Sequence, residues 1–146
     1  MSTRRLKADD RAEWLRLRRQ LWPALDEHRH ATEVRAMLAD EARFATFGYF
    51  AATTLAGFVE ASLRERPDVL PPGRMGYIEA LFVAPDYRGK GVGRALLQAA
   101  ERWAEACDCE IMGSDAEVGN QAGVEIHRKL GYQEAERIVR FQKALA

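Results

Sequence analysis

Cysteine is nearly absent: the 146 residues include two, Cys107 and Cys109. They stand too close together for an ordinary disulfide framework. A zinc site would need further ligands, and His28, His30 and His127 are not at finger-like spacing to them. Two reduced, partly buried thiols and no metal are expected. Net charge is lacking as well, with 22 basic residues against 22 acidic, so composition points away from nucleic acid and from anionic membranes. No stretch approaches the ~20 apolar residues that a membrane span requires. The opening Met1-Ser2-Thr3-Arg4-Arg5-Leu6-Lys7 has basic residues without the apolar run of a secretory signal, which predicts a cytoplasmic protein. Repeats, low-complexity tracts and interdomain linkers are also missing. Residues 1–146 therefore read as one domain, long enough for a sizeable core without disulfides.

What is present is concentrated in one run, Tyr77-Ile78-Glu79-Ala80-Leu81-Phe82-Val83-Ala84-Pro85-Asp86-Tyr87-Arg88-Gly89-Lys90-Gly91-Val92-Gly93. Nearly continuous apolar character from Ile78 to Val83 suits a strand covered on both faces, and Pro85 ends it because proline cannot donate to a ladder. From Arg94 onward, Leu96, Leu97, Ala100, Trp103 and Ala104 recur with helical period. Between strand and helix, alternating glycines remove the Cβ atoms that would hold a ligand off the backbone. Successive N–H groups and the helix N-terminus then favour an anion, with Arg88 and Lys90 at the rim. The ligand predicted is a phosphate or pyrophosphate. A nucleotide P-loop would need Ser or Thr after Lys90, where Gly91 stands. A dinucleotide fingerprint would place two residues before its third glycine, and here only Val92 precedes Gly93. A charged, glycine-rich turn capping a helix is the plain alternative.

Elsewhere, residues 3–6 read as a strand, and Asp10 with Glu13 has capping-box spacing. A helix then carries Trp14, Leu17 and Leu21 on one face and stops at Pro23. Residues 24–31 read as an exposed loop, with Thr32 capping a second helix that bears Val34, Met37 and Leu38. Residues 45–52 and 55–64 read as a hairpin, 66–74 as a proline-rich loop and 110–114 as a short strand. A polar turn over 115–119 leads to a helix over about 120–130 that Gly131 ends, and 133–143 read as one or two closing strands. This order gives an α/β fold, a mixed sheet flanked by helices.

At Arg88-Gly89-Lys90-Gly91-Val92-Gly93 the chain resembles the GNAT superfamily of acyl-CoA-dependent N-acetyltransferases, whose pyrophosphate loop reads Arg/Gln-x-x-Gly-x-Gly/Ala. The element order resembles that family along the whole chain, which implies a GNAT-type, mostly antiparallel sheet. A narrower likeness to the aminoglycoside 6'-N-acetyltransferases rests on Leu17-Arg18-Arg19-Gln20-Leu21-Trp22-Pro23, Gly57-Phe58-Val59-Glu60-Ala61-Ser62-Leu63-Arg64, Ser114-Asp115 and His127-x-x-Leu130-Gly131-Tyr132-x-Glu134.

The resemblance implies acetyl-CoA as co-substrate and direct attack of a neutral amine on its thioester. It puts the pantetheine arm along the backbone of Leu81, Phe82 and Val83, and the pyrophosphate on Arg88, Gly89, Lys90, Gly91, Val92 and Gly93. The side chains of Leu81, Phe82 and Val83 are expected to be plain core. A protonated amine must first lose a proton, so a carboxylate is needed, directly or through water. Glu79 and Asp115 are the candidates, and a solvated surface carboxylate is the alternative for each. The acceptor implied is a polycationic small molecule, met by Trp22, Glu79, Asp115 and Glu136 among scattered acids that include Asp26, Glu27, Glu60 and Glu117. Asn120 stands where the family often touches the CoA arm and equally where a helix N-cap belongs. His127 occupies the position of a tyrosine acid in many relatives, and it reads as acid, CoA contact or core residue. Phe141 removes another candidate acid. Homodimers are common in that branch. Acetylation of another small amine or a protein N-terminus, and a non-catalytic acyl-CoA-binding module, are the competing functions.

Overall fold

The computed structural model describes residues 2–66 and 73–146; apart from its ends, the loop expected over 66–74 lies outside the described residues. The chain separates into two compact units, Met1–Ser114 and Asp115–Ala146.

The first unit is built on a five-stranded sheet in the order β1-β2-β3-β4-β5. β1 (Ser2–Arg5), β2 (Phe44–Ala51), β3 (Thr54–Arg66) and β4 (Gly73–Val83) run antiparallel, and β5 (Met112–Gly113) joins β4 in parallel. The expected hairpin is thus β2 and β3. β3 is buried without a break from Leu55 to Leu63, because helices cover both of its faces. On one face, Trp14 of α1 (Arg11–Leu21) donates its indole N–H to Glu60 at 2.9 Å. On the other, α3 (Val92–Ala106) lies over Gly57, where a Cβ would meet the Phe82 carbonyl at 2.8 Å and Leu96 at 3.2 Å. Glycine at this position lets strand and helix approach. Trp14, Leu17, Val34, Phe50, Leu55, Phe58 and Phe82 form the main core cluster.

Several local expectations need correction. Asp10 does not cap α1; its carboxylate pairs with Arg4 at 2.8 Å and accepts from the Lys7 N–H, closing a 3-10 turn, Ala8–Asp10, ahead of the helix. Glu13 accepts from Arg16 and from the Leu55 N–H, fastening α1 to β3. The second helix, α2 (Glu27–Ala39), starts well before Thr32. Asp26 caps it by accepting from the Arg29 N–H at 2.8 Å, and Thr32 sits inside, bonded to the His28 carbonyl. Nothing between Asp26 and Thr32 breaks a helix, and His30 and Val34, at i and i+4, are both fully buried. The strand expected over 110–114 shrinks to β5.

In the second unit, α4 (Gln121–Lys129) is capped by Asn120, whose side chain accepts from the Gly123 N–H at 3.0 Å. Gly131, at φ +89°, ends it as the sequence suggests. The closing strands expected over 133–143 do not form. The short apolar run Ile138-Val139 needs a paired edge, and this unit, taken by itself, contains no strand.

Candidate active site

A 3-10 turn, Pro85–Tyr87, follows β4 and delivers the chain to the glycine loop. Gly89 and Gly91 adopt φ of +75° and +83°, with nothing within 4 Å of where either Cβ would stand. Gly91 is the N-cap of α3 and, being glycine, makes no side-chain cap hydrogen bond to the first N–H groups of that helix. Arg88 donates through Nε to the Val83 carbonyl at 2.8 Å, and Lys90 donates to the Asp86 carbonyl at 3.1 Å. The loop therefore stands braced by its own cations, with open glycine backbone leading into a helix start that has no side-chain cap from its N-cap glycine. This arrangement attracts phosphate oxygens.

Beside the loop, β4 offers a backbone edge. β5 pairs with it only at Gly76 and Tyr77, so among the described residues no strand covers the stretch from Ile78 to Val83 on that side. Phe82 packs in the core against Phe58, while Leu81 and Val83 are half-buried. An extended ligand arm can pair with such an edge as an added strand.

Glu79 lies at a register shift: Glu60 faces Ala80 and Ala61 faces Ile78, which leaves Glu79 without a cross-strand partner in β3. Its side chain is exposed on the sheet yet fully engaged. Oε2 accepts from Ser62 Oγ at 2.5 Å and from Arg64 Nε at 3.0 Å, and Oε1 accepts from Arg64 Nη2 at 2.7 Å. The Arg64 guanidinium also lies 3.6 Å from the centroid of Tyr77.

The α1–α2 corner forms an open groove of about 520 Å³ lined by Leu21, Trp22, Pro23, Ala24, Leu25 and Glu33. Its wall is fixed from below. Buried Arg18 stands 4.8 Å from the Trp22 ring and donates to Glu33 at 2.7 Å. Arg18 Nε comes within 2.9 Å of Glu60 Oε2, an ion-pair contact whose N–H is not aimed at the oxygen. Burial pushes the Glu60 carboxyl up, with Arg18 and Trp14 pulling against it. Burial likewise pushes Glu33 up, but Arg18 and Arg29 outweigh it and hold Glu33 below its ordinary value. His30 completes the cluster, its ring against Arg18 and the Trp22 carbonyl. Glu60 is thus not in an acidic pocket, as the sequence suggested, but beneath α1. Asp26 is a helix cap and Glu27 pairs with Arg19.

In the second unit, Asp115 opens the chain toward α4, and Glu136 is exposed in the segment after it. His127 donates Nδ1–H to the Gly123 carbonyl at 2.6 Å and meets the edge of Tyr132, with ring centroids 5.6 Å apart.

Residues 11–132 match the Acetyltransferase (GNAT) family. The chain belongs to the GNAT acetyltransferase family. It is 34% identical over 133 residues to an aminoglycoside N(6')-acetyltransferase type 1 of Acinetobacter genomosp. 13, covering 90% of each chain. It is 29% identical over 144 residues to a protein of the same name from Salmonella enteritidis, covering 98% of this chain and 99% of that one. Among solved structures it is similar to AAC(6')-Iy in complex with the bisubstrate analogue CoA-S-monomethyl-acetylneamine, at TM-score 0.89 and 29% identity, with 98% and 97% of the two chains covered. It is also similar to apo AAC(6')-IG from Acinetobacter haemolyticus, at TM-score 0.88 and 30% identity, with both chains covered in full.

Within this GNAT chain, the first unit brings together the glycine loop, the bare edge of β4 and Glu79. Reading the sequence missed Ser62 and Arg64, the partners of Glu79, and Arg18 and His30, which brace Trp22. A usable signal was present: Glu60, Ser62 and Arg64 alternate on one strand, next to a strand that carries a lone glutamate.

Proposed function

We propose that the protein transfers the acetyl group of acetyl-CoA to the 6'-amine of an aminoglycoside, an activity that would confer antibiotic resistance. One observation carries the reading: an edge of β4 left unpaired among the described residues runs straight into two left-handed glycines and a helix start with no side-chain cap from its N-cap glycine. These fit an extended arm ending in a pyrophosphate. The names of the relatives support the acceptor.

In this reading residues 1–146 act as one acyltransferase domain; the family match over residues 11–132, which crosses Ser114, supports it. Arg88, Gly89, Lys90, Gly91, Val92 and Gly93 hold the pyrophosphate, with Asn120 and His127 on the CoA arm. The backbone of Leu81, Phe82 and Val83 pairs with the pantetheine, and an N–H at Phe82 or Val83 receives the charge that develops on the thioester oxygen. Losing a donor of that kind typically costs about 3 kcal/mol of barrier. Glu79 and Asp115 attract the acceptor's ammonium and accept its proton, directly or through water. Trp22 and Glu136 contact the acceptor, and His127 is the candidate for returning a proton to the CoA thiolate. Free Cys107 and Cys109 and the use of acetyl-CoA suit the cytoplasm. A homodimer would cover Ile138, Val139, Phe141 and Leu145, which are 61%, 76%, 90% and 89% exposed.

The test is thiol release from acetyl-CoA with kanamycin, tobramycin, a kanamycin analogue bearing hydroxyl at the 6' position, and spermidine. Turnover of the 6'-amines but not of the 6'-hydroxyl compound is expected. Turnover of spermidine alone would move the acceptor to another amine class.

A further inference from the structure

Glu79 is exposed and points out of a break in the sheet register, as suits a group that meets a cationic acceptor. Yet it already holds a cation. Arg64 grips both of its oxygens, Nε at 3.0 Å and Nη2 at 2.7 Å, while Ser62 Oγ donates to Oε2 at 2.5 Å. A bidentate guanidinium matches the geometry of a carboxylate and makes charge-assisted hydrogen bonds stronger than neutral ones. The face of Tyr77, 3.6 Å from Arg64 Cζ, gives the guanidinium a second hold. The pair sits in solvent, with side chains 46% and 34% exposed, so an external cation can reach it.

Charge decides the consequence. Arg64 already occupies both oxygens of Glu79 and offsets its charge, so an incoming ammonium gains less attraction from Glu79 until Arg64 moves off. We propose that Arg64 is an internal counter-ion which the acceptor's ammonium must displace from Glu79. Arg64 would then set how strongly the enzyme favours acceptors that carry several positive charges, and it would disfavour weakly charged amines that cannot compete. This rests on the reading of Glu79 as part of the acceptor site.

The experiment compares wild type with Arg64→Gln, Tyr77→Leu and Glu79→Gln, using thiol release and isothermal titration with a graded series of mono-, di-, tri- and tetra-amines at several salt concentrations. For an exposed pair, Arg64→Gln should lower acceptor KM by roughly two- to fivefold, with the gain falling on KM and not on kcat. The dependence of KM on salt should steepen, because Glu79 then meets the acceptor as a bare charge. Tyr77→Leu, which loosens the second hold and leaves the Arg64–Glu79 hydrogen bonds in place, should shift KM the same way by less. A rise in KM for Arg64→Gln would overturn the proposal and make Arg64 a positioning residue for Glu79. An acceptor KM unmoved by Glu79→Gln would overturn it too, while leaving acetyl transfer intact. No thiol release by wild type with any amine would instead remove the acetyl-transfer reading itself.

Discussion

Gly91 holds φ +83° at the first turn of α3, a conformation in which a Cβ is disfavoured by about 1–2 kcal/mol although nothing crowds it. Gly91→Ala should therefore lower stability by about 1 kcal/mol in urea unfolding and raise the KM for acetyl-CoA without changing that for the amine. His127 is a second residue whose geometry makes a prediction. Its Nδ1–H is bonded to the Gly123 carbonyl, which leaves Nε2 as the ring nitrogen that can carry a proton to the CoA thiolate. Replacing it in His127→Phe should lower kcat by about 10²-fold and remove the basic limb of the pH–rate profile, as expected when a general acid is lost. An unchanged kcat in this variant would reverse that expectation.

Elements are joined here by ion pairs that cross them. Arg4 of β1 grips Asp10 in the turn before α1, and this hydrogen-bonded contact holds the Asp10 carboxyl below its ordinary value despite some burial. A carboxylate with a depressed pKa adds stability above its unfolded value of about 4 and loses it as pH falls through the folded one. Asp10→Asn should thus flatten the fall in stability below about pH 4, read as urea midpoints against pH. The link between α1 and β3 runs deeper. Arg18 is 2% exposed and Glu60 3%, and Glu60→Ala would leave the buried guanidinium with Glu33 but without its buried carboxylate, and the Trp14 N–H without its acceptor. A loss of about 3 kcal/mol is expected, recovered in part when Arg18→Met is added, because the buried charge is then gone.

For the whole molecule, ligand linkage is the simplest readout. Acetyl-CoA at about 100 times its Kd should stabilise the folded chain by ~2.7 kcal/mol, seen as a rise in Tm that grows with concentration. If binding uses the glycine loop, Gly91→Ala should need more cofactor for the same shift. The tail tests assembly: residues 133–146 form no helix or strand and expose Phe141 and Leu145. Trypsin should cut first at Arg137, Arg140 or Lys143 in a monomer and be slowed there in a dimer, with light scattering giving the mass.

The order of elements as far as α4 and the conformation of the glycine loop were legible in the sequence because their signals are contiguous. A buried strand, a proline stop, alternating glycines and a helical period lie within one short run, and each depends only on local backbone chemistry. The N-terminus of α2 was not, since Asp26 outcompeted Thr32 only once His30 and Val34 found a core to enter. Nor was the want of closing strands, because a run such as Ile138-Val139 cannot by itself supply a partner edge. The setting of Glu79 was also hidden: Arg64 is 15 residues away and becomes its neighbour only through the register of β3 on β4. Trp14 meets Glu60 across 46 residues in the same way. The sequence determined which groups could do chemistry, through residue type and local spacing. Tertiary structure decided which of them are buried and which face one another, because pairing over such separations follows from sheet register and helix packing.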